Sequence, residues 1–181
     1  MSLPPTLIIG IGNPSRGDDA LGPLAIERLE AMALPGVELL TDFQLQVEYA
    51  LDLQGRERVI FIDASASGPE PFRFLSQTAT EDASYSSHAL SPGALLHAYQ
   101  KLYGEPPDAF VLAIRGYGFE LGEGLTEQAA ANLEAALAAL TPILGSVNRA
   151  RNYSDKTTSS NTLSISSVNP TEPNRQAGSA A

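Results

Sequence analysis

The sequence predicts a single α/β domain built on a central, mostly parallel five-stranded sheet with helices on both faces. Three observations lead there. Short apolar runs rich in β-branched residues, such as 6–9 and 59–62, alternate with longer segments whose apolar positions recur at helical spacing. Val59-Ile60-Phe61-Ile62 has no polar alternation, which is how a central strand buried on both faces reads. The chain has 181 residues, enough for one such domain with a real core and too few for two.

The elements follow in order. Thr6-Leu7-Ile8-Ile9 is a buried strand that ends in Gly10-Ile11-Gly12-Asn13-Pro14, a stretch dense in turn residues. Asp18 and Asp19 then precede a helix with Leu21, Leu24, Ala25, Ile26 and Leu29 on its apolar face, which puts one of the two acids at a helix N-terminus. Pro35-Gly36 is a turn into a second strand, Val37 to Thr41. Val47, Ala50 and Leu51 recur at helical spacing, and Gly55 stands where a C-cap would. The strand 59–62 follows, with Asp63 at its carboxyl end.

Pro71 to Ser76 reads as a strand near an edge, given its proline and Arg73. Gln77 to Ser87 is a long polar loop that ends at His88. Ser91-Pro92 caps a helix carrying Leu95, Leu96, Tyr99 and Leu102, and Pro106-Pro107 breaks the chain before a fifth strand, Ala109 to Ile114. That strand exits through a second glycine-bearing loop, Arg115 to Glu120. Thr126 caps a last, alanine-rich helix with Leu133, Leu137 and Leu140 on its core face, ending at Gly145. The domain is thus 1–145. Residues 146–181, rich in Ser, Thr and Asn, hold too little apolar surface to offset their ordering entropy and are expected to be disordered.

Composition removes several classes of function. Eleven Lys and Arg against 21 Asp and Glu give a net charge of −10, wrong for nucleic acid or an anionic membrane. No cysteine is present, which excludes disulfides, thiolate metal sites and a cysteine nucleophile. Met1-Ser2-Leu3-Pro4-Pro5 runs into the first strand without a basic-apolar-small leader, and no apolar run approaches the roughly eighteen residues of a membrane span, so a cytoplasmic protein is expected.

In a parallel sheet, ligand sites lie outside the carboxyl ends of the strands. Asp18 and Asp19 follow the first strand, Asp63 ends the third, and His88 lies in the loop after the fourth. Two carboxylates and an imidazole with open positions suit a borderline divalent cation such as nickel, zinc or iron(II). Carboxylates held close together repel, and a cation removes the conflict. Each residue also has a plainer role: Asp18 as a helix N-cap, Asp63 as a strand-end cap, His88 as a solvated loop residue. The other histidine, His97, lies on a helix flank and is expected to be structural. A dinucleotide loop is the poorer fit, because Ser15 stands where the third glycine would be and two aspartates would face the pyrophosphate.

Gly10-Ile11-Gly12-Asn13, then Asp18-Asp19 with Gly22, then Ile60-Phe61-Ile62-Asp63-Ala64, then Ser87-His88 ahead of a helix, resemble in order and spacing the maturation endopeptidases of nickel-iron hydrogenases. The resemblance spans about Leu7 to Leu140 and implies a phosphorylase/hydrolase-like fold. It further implies that Asp19, Asp63 and His88 hold nickel supplied by the substrate, and that the chain removes a C-terminal extension from the hydrogenase large-subunit precursor once nickel is in place. It assigns no catalytic residue beyond those three. Many members carry a glycine-rich loop after the second strand where this chain reads Asp42-Phe43-Gln44-Leu45-Gln46, which bears on the class of hydrogenase served. Asp42 and Gln44 of that loop, with Arg115, are the implied substrate contacts.

Two rivals differ in what they predict. Peptidyl-tRNA hydrolases open similarly to Ile9 to Pro14, but 15–22 contains no histidine and the charge is wrong for tRNA. A non-enzymatic nickel-binding escort of the precursor would use the same three ligands, and turnover alone separates it from a protease.

Overall fold

The computed structural model describes residues 3–81 and 90–159, with 146–159 described by backbone alone. The chain divides into two units, Met1–Asn148 and Arg149–Ala181, and the sheet with both its cores lies in the first. Five strands form that sheet: β1 (Thr6–Ile11), β2 (Val37–Asp42), β3 (Arg58–Ser65), β4 (Phe72–Gln77) and β5 (Asp108–Arg115). Their order is β2-β1-β3-β5-β4, all parallel except β4, which pairs antiparallel with β5 at the edge. The mixed sheet and the edge position of β4 agree with the sequence reading.

Helices α1 (Leu21–Ala31) and α4 (Glu127–Ser159) cover one face, where Ile8, Ile60, Ile62, Leu112 and Ile114 of the sheet pack against Ile26, Leu29, Leu133 and Leu137. Leu7, Ile9, Val59 and Phe61 point to the opposite face and pack with Ala50 of α2 (Tyr49–Asp52) and Leu95, Leu96 and Tyr99 of α3 (Pro92–Tyr103). Alternate residues of β1 and β3 therefore enter different cores, and both strands are apolar throughout for that reason. Ser91 caps α3 by accepting a hydrogen bond from the Ala94 N–H at 3.1 Å.

Three elements differ from the sequence reading. The acids at 18–19 lie in a single 3-10 turn, Gly17–Ala20, and α1 begins after it with Ala20 as its N-cap, so neither aspartate caps α1. α2 is only four residues long, ending at Asp52, and Gly55, with φ +72°, lies in the turn that follows rather than at its C-cap. α4 runs past Gly145 to Ser159. A glycine ends a helix when it takes the left-handed conformation, and Gly145 stays helical. The expected disorder at 160–181 concerns residues outside those described. Among the described residues, no helix is long and apolar enough to cross a membrane.

Candidate active site

Parallel strands bring the carboxyl ends of β1, β2, β3 and β5 to one rim. Going from β1 to β2 the chain crosses on the α1 face, and from β2 to β3 on the α2 face, so the order 2-1-3 places a topological switch point between β1 and β3. Such switch points are where open parallel α/β sheets generally bind their ligands. Asp19 follows β1 and Asp63 belongs to β3, so two of the predicted site residues flank that point.

The glycines explain how Asp19 gets so close to the sheet. A Cβ on Gly22 would lie 2.2 Å from the Ile11 carbonyl oxygen and 2.7 Å from that of Ile62, and one on Gly12 would lie 1.9 Å from the Asp19 carbonyl oxygen. Gly12 also has φ +141°. These residues are glycine because the start of α1 sits directly on the ends of β1 and β3; close packing accounts for the motif without a phosphate. The Asn13 N–H donates to Asp19 Oδ2 at 2.7 Å and fixes that carboxylate at the rim.

Asp63 is half-buried and accepts a hydrogen bond from its neighbour's Ala64 N–H at 2.8 Å. Burial is the main influence on its carboxyl and raises its pKa; the Ala64 N–H opposes this, and the charge of Asp19 raises it further, to about 6. Asp19 and Asp63 are therefore electrostatically coupled, and a cation between them would relieve both the burial and the repulsion. Among the described residues, no group of three His, Asp or Glu side chains is placed to hold a metal. His88, the third predicted ligand, lies outside the described residues.

Asp18 has a different environment. Its side chain is fully buried, and Oδ2 accepts hydrogen bonds from the Tyr117 N–H at 2.7 Å, the Gly118 N–H at 3.0 Å and the Thr126 hydroxyl at 2.8 Å, while Oδ1 accepts from the Thr126 N–H at 2.7 Å. Burial acts to raise its pKa, but these donors outweigh it and hold the carboxyl below the usual aspartate value. Thr126 in turn caps α4, accepting from the Ala129 N–H at 3.3 Å. No local pattern announces this role, since the donors lie 99 to 108 residues away. The only sequence sign is a second glycine-bearing loop after β5.

The proposed substrate contacts lie around the same rim. Asp42 ends β2, accepts from the Phe43 N–H at 2.6 Å and from the Tyr49 hydroxyl at 2.7 Å, and lines an open cleft of ≈ 210 Å³ with Gly12, Pro14, Pro23, Thr41 and Phe43. Burial is the largest cause, and Asp42 the next, of a Tyr49 pKa pushed up to about 12, so this hydroxyl keeps its proton. Gln44 is exposed beside the cleft-lining Phe43. Arg115 donates to the Ala66 carbonyl and lies over the Tyr117 ring at 5.2 Å, an anchored position at the end of β5.

No family model matches the sequence, and no curated protein matches it in sequence. Solved structures do. A [NiFe] hydrogenase maturation protease, HycI from Thermococcus kodakarensis KOD1, superposes with a TM-score of 0.62 at 26% identity, over 78% of this chain and 93% of that one. An Escherichia coli endopeptidase superposes at 0.59 with 25% identity, over 75% of this chain and 88% of that one. The hydrogenase maturating endopeptidase HybD of E. coli, at 23% identity, shares the fold, with a TM-score of 0.61 over 78% and 93% of the two chains. In its fold and in the order of the motifs that build its rim, the chain is similar to these hydrogenase maturation endopeptidases, and the similarity supports a hydrolase.

Proposed function

We propose that the chain cleaves a C-terminal extension from a nickel-iron hydrogenase large-subunit precursor after nickel insertion. The nickel is part of the substrate, and Asp19, Asp63 and His88 receive it. The observation that carries this reading is the acid pair at the switch point: Asp63, half-buried and raised to about 6 partly by Asp19, has no positive partner among the described residues to offset the burial and repulsion of its charge. A precursor that brings a cation supplies that partner, and one without it meets two repelling acids. Discrimination between loaded and empty precursor then comes from differential binding. Asp42, Gln44 and Arg115 contact the polypeptide on either side, in a protein that acts in the cytoplasm.

The test is to incubate the purified protein with nickel-loaded and with nickel-free precursor and to measure the precursor's mass. Loss of a C-terminal peptide from the loaded form alone is expected. Nickel binding through Asp19, Asp63 and His88 with no cleavage of a competent precursor would replace the protease with a non-enzymatic escort.

A further inference from the structure

We infer that Asp18 is a positioning residue: its buried carboxylate gathers the loop after β5 onto the turn that carries Asp19, and so holds Asp19 in place for metal. This inference rests on the reading that Asp19 and Asp63 receive nickel.

The geometry supports it at several points. Residues 116–126 form an irregular loop with neither strand nor helix, and the hydrogen bonds that shape it converge on the turn after β1. Besides the four donors to the Asp18 carboxylate, the Asp18 N–H donates to the Gly118 carbonyl at 2.7 Å, the Gly17 N–H to that of Glu123 at 3.1 Å, and the Gly122 N–H to that of Ser15 at 2.8 Å. The approach is tight: a Cβ on Gly116 would lie 2.8 Å from Asp18 Cβ, and one on Gly17 2.5 Å from the Gly118 carbonyl oxygen. Asp18 and Asp19 are consecutive in one 3-10 turn, so a displacement of the first is transmitted to the second.

A role in cohesion alone explains less. A buried carboxylate is an expensive way to hold two segments together, and apolar side chains of similar volume often do so at no loss of stability. What a carboxylate with four directed hydrogen bonds adds is a fixed orientation. The residue whose orientation is fixed most directly is Asp19, held on its other side by the Asn13 N–H.

The experiment titrates Co²⁺ alone into wild type, Asp18→Asn and Thr126→Val, following the visible d–d bands of the bound ion at a temperature where circular dichroism shows each protein folded. Asparagine offers one acceptor oxygen where the carboxylate offers two, and valine removes the hydroxyl donor. Asp18→Asn is expected to weaken Co²⁺ binding roughly 10-fold and to shift the bands, because residues that orient a ligand cost about 10- to 100-fold in affinity when changed. Thr126→Val should move both in the same direction by less. Wild-type affinity and bands in folded Asp18→Asn would overturn the inference. Should that variant not fold, wild-type behaviour of Thr126→Val overturns it. Failure of the wild type itself to bind Co²⁺ overturns the inference, whereas the nickel-docking reading falls only if nickel-loaded precursor is treated no differently from empty precursor, so the two failures are told apart.

Discussion

Asp18 and Asp63 are both aspartates at the same rim, yet the fold treats them oppositely. Asp18 is sealed from solvent and given four donors, which hold its pKa down. Asp63 is left half-exposed with, among the described residues, one backbone donor and an acidic neighbour, and its pKa rises to about 6. A buried carboxylate whose lone pairs are filled by its own chain has little left to offer a ligand and acts as part of the frame. One left short of donors is poised to take a proton or a cation from outside. Burial alone therefore does not mark a functional acid; the count of donors around it does.

The comparison breaks first at Asp18. Asp18→Ala leaves the Tyr117, Gly118 and Thr126 N–H groups without their acceptor, and each buried donor left unsatisfied costs about 1–3 kcal/mol. Urea unfolding at neutral pH measures it. Because the folded pKa of Asp18 is lowered, the stability it supplies is present above the ordinary aspartate value of 3.8 and is lost as pH falls through the lower folded value. The difference between variant and wild type should therefore shrink in strong acid.

Asp63 carries the opposite sign. Between 3.8 and about 6 the folded chain holds a proton at Asp63 that the unfolded chain has released, so its contribution is full below the first value and lost as pH rises through the second. Asp63→Asn, neutral throughout, should be more stable than wild type by on the order of 2 kcal/mol at about pH 7.5, allowing for partial exposure, and no more stable at about pH 4. The same variant should fail to process nickel-loaded precursor. A variant that loses stability at neutral pH would show that Asp63 belongs with Asp18 in the frame.

Much of this was readable in the residues. The apolar runs of β1, β3 and β5 give the central sheet, and a parallel sheet puts Asp19 and Asp63 at one rim whatever the details of the connections. The role of Asp18 was not readable, since its four hydrogen bonds join residues about a hundred positions apart and an N-cap was the local alternative. The sequence reading ends α4 at Gly145 and the helix continues to Ser159, because a glycine stops a helix only through a conformation the sequence does not record. The motif glycines stood out, but their reason, contact of backbone with backbone, appears only once α1 is set against the strand ends.

Gly22→Ala tests that contact. The added methyl would meet the Ile11 carbonyl oxygen at 2.2 Å, the Ile11 nitrogen at 2.6 Å and the Ile62 carbonyl oxygen at 2.7 Å, all backbone atoms that no rotamer change can move aside. Overpacking of this kind costs about 1–3 kcal/mol. Since α1 must retreat from the sheet and carry the preceding turn with it, processing should fall further than stability does. Thermal melts paired with the precursor mass assay separate the two, and a variant that melts early yet processes at the wild-type rate would detach the glycine from the site.

The smallest effect is expected at a third aspartate of the rim. Asp42 falls between the other two: half-exposed, with a backbone N–H on one oxygen and the Tyr49 hydroxyl and, at 3.5 Å, the Gln46 amide on the other. Tyr49→Phe removes only the hydroxyl, which should cost about 1 kcal/mol, near the mean for one intramolecular hydrogen bond. With its pKa at about 12, Tyr49 keeps its proton through the neutral range, so the cost should be flat with pH where those of Asp18 and Asp63 slope in opposite directions. If Asp42 belongs to the frame of the cleft, the variant should process precursor at close to the wild-type rate. If Asp42 takes part in the exchange with substrate, removing the shorter of the two side-chain hydrogen bonds to its Oδ2 should change KM for the precursor while leaving kcat alone.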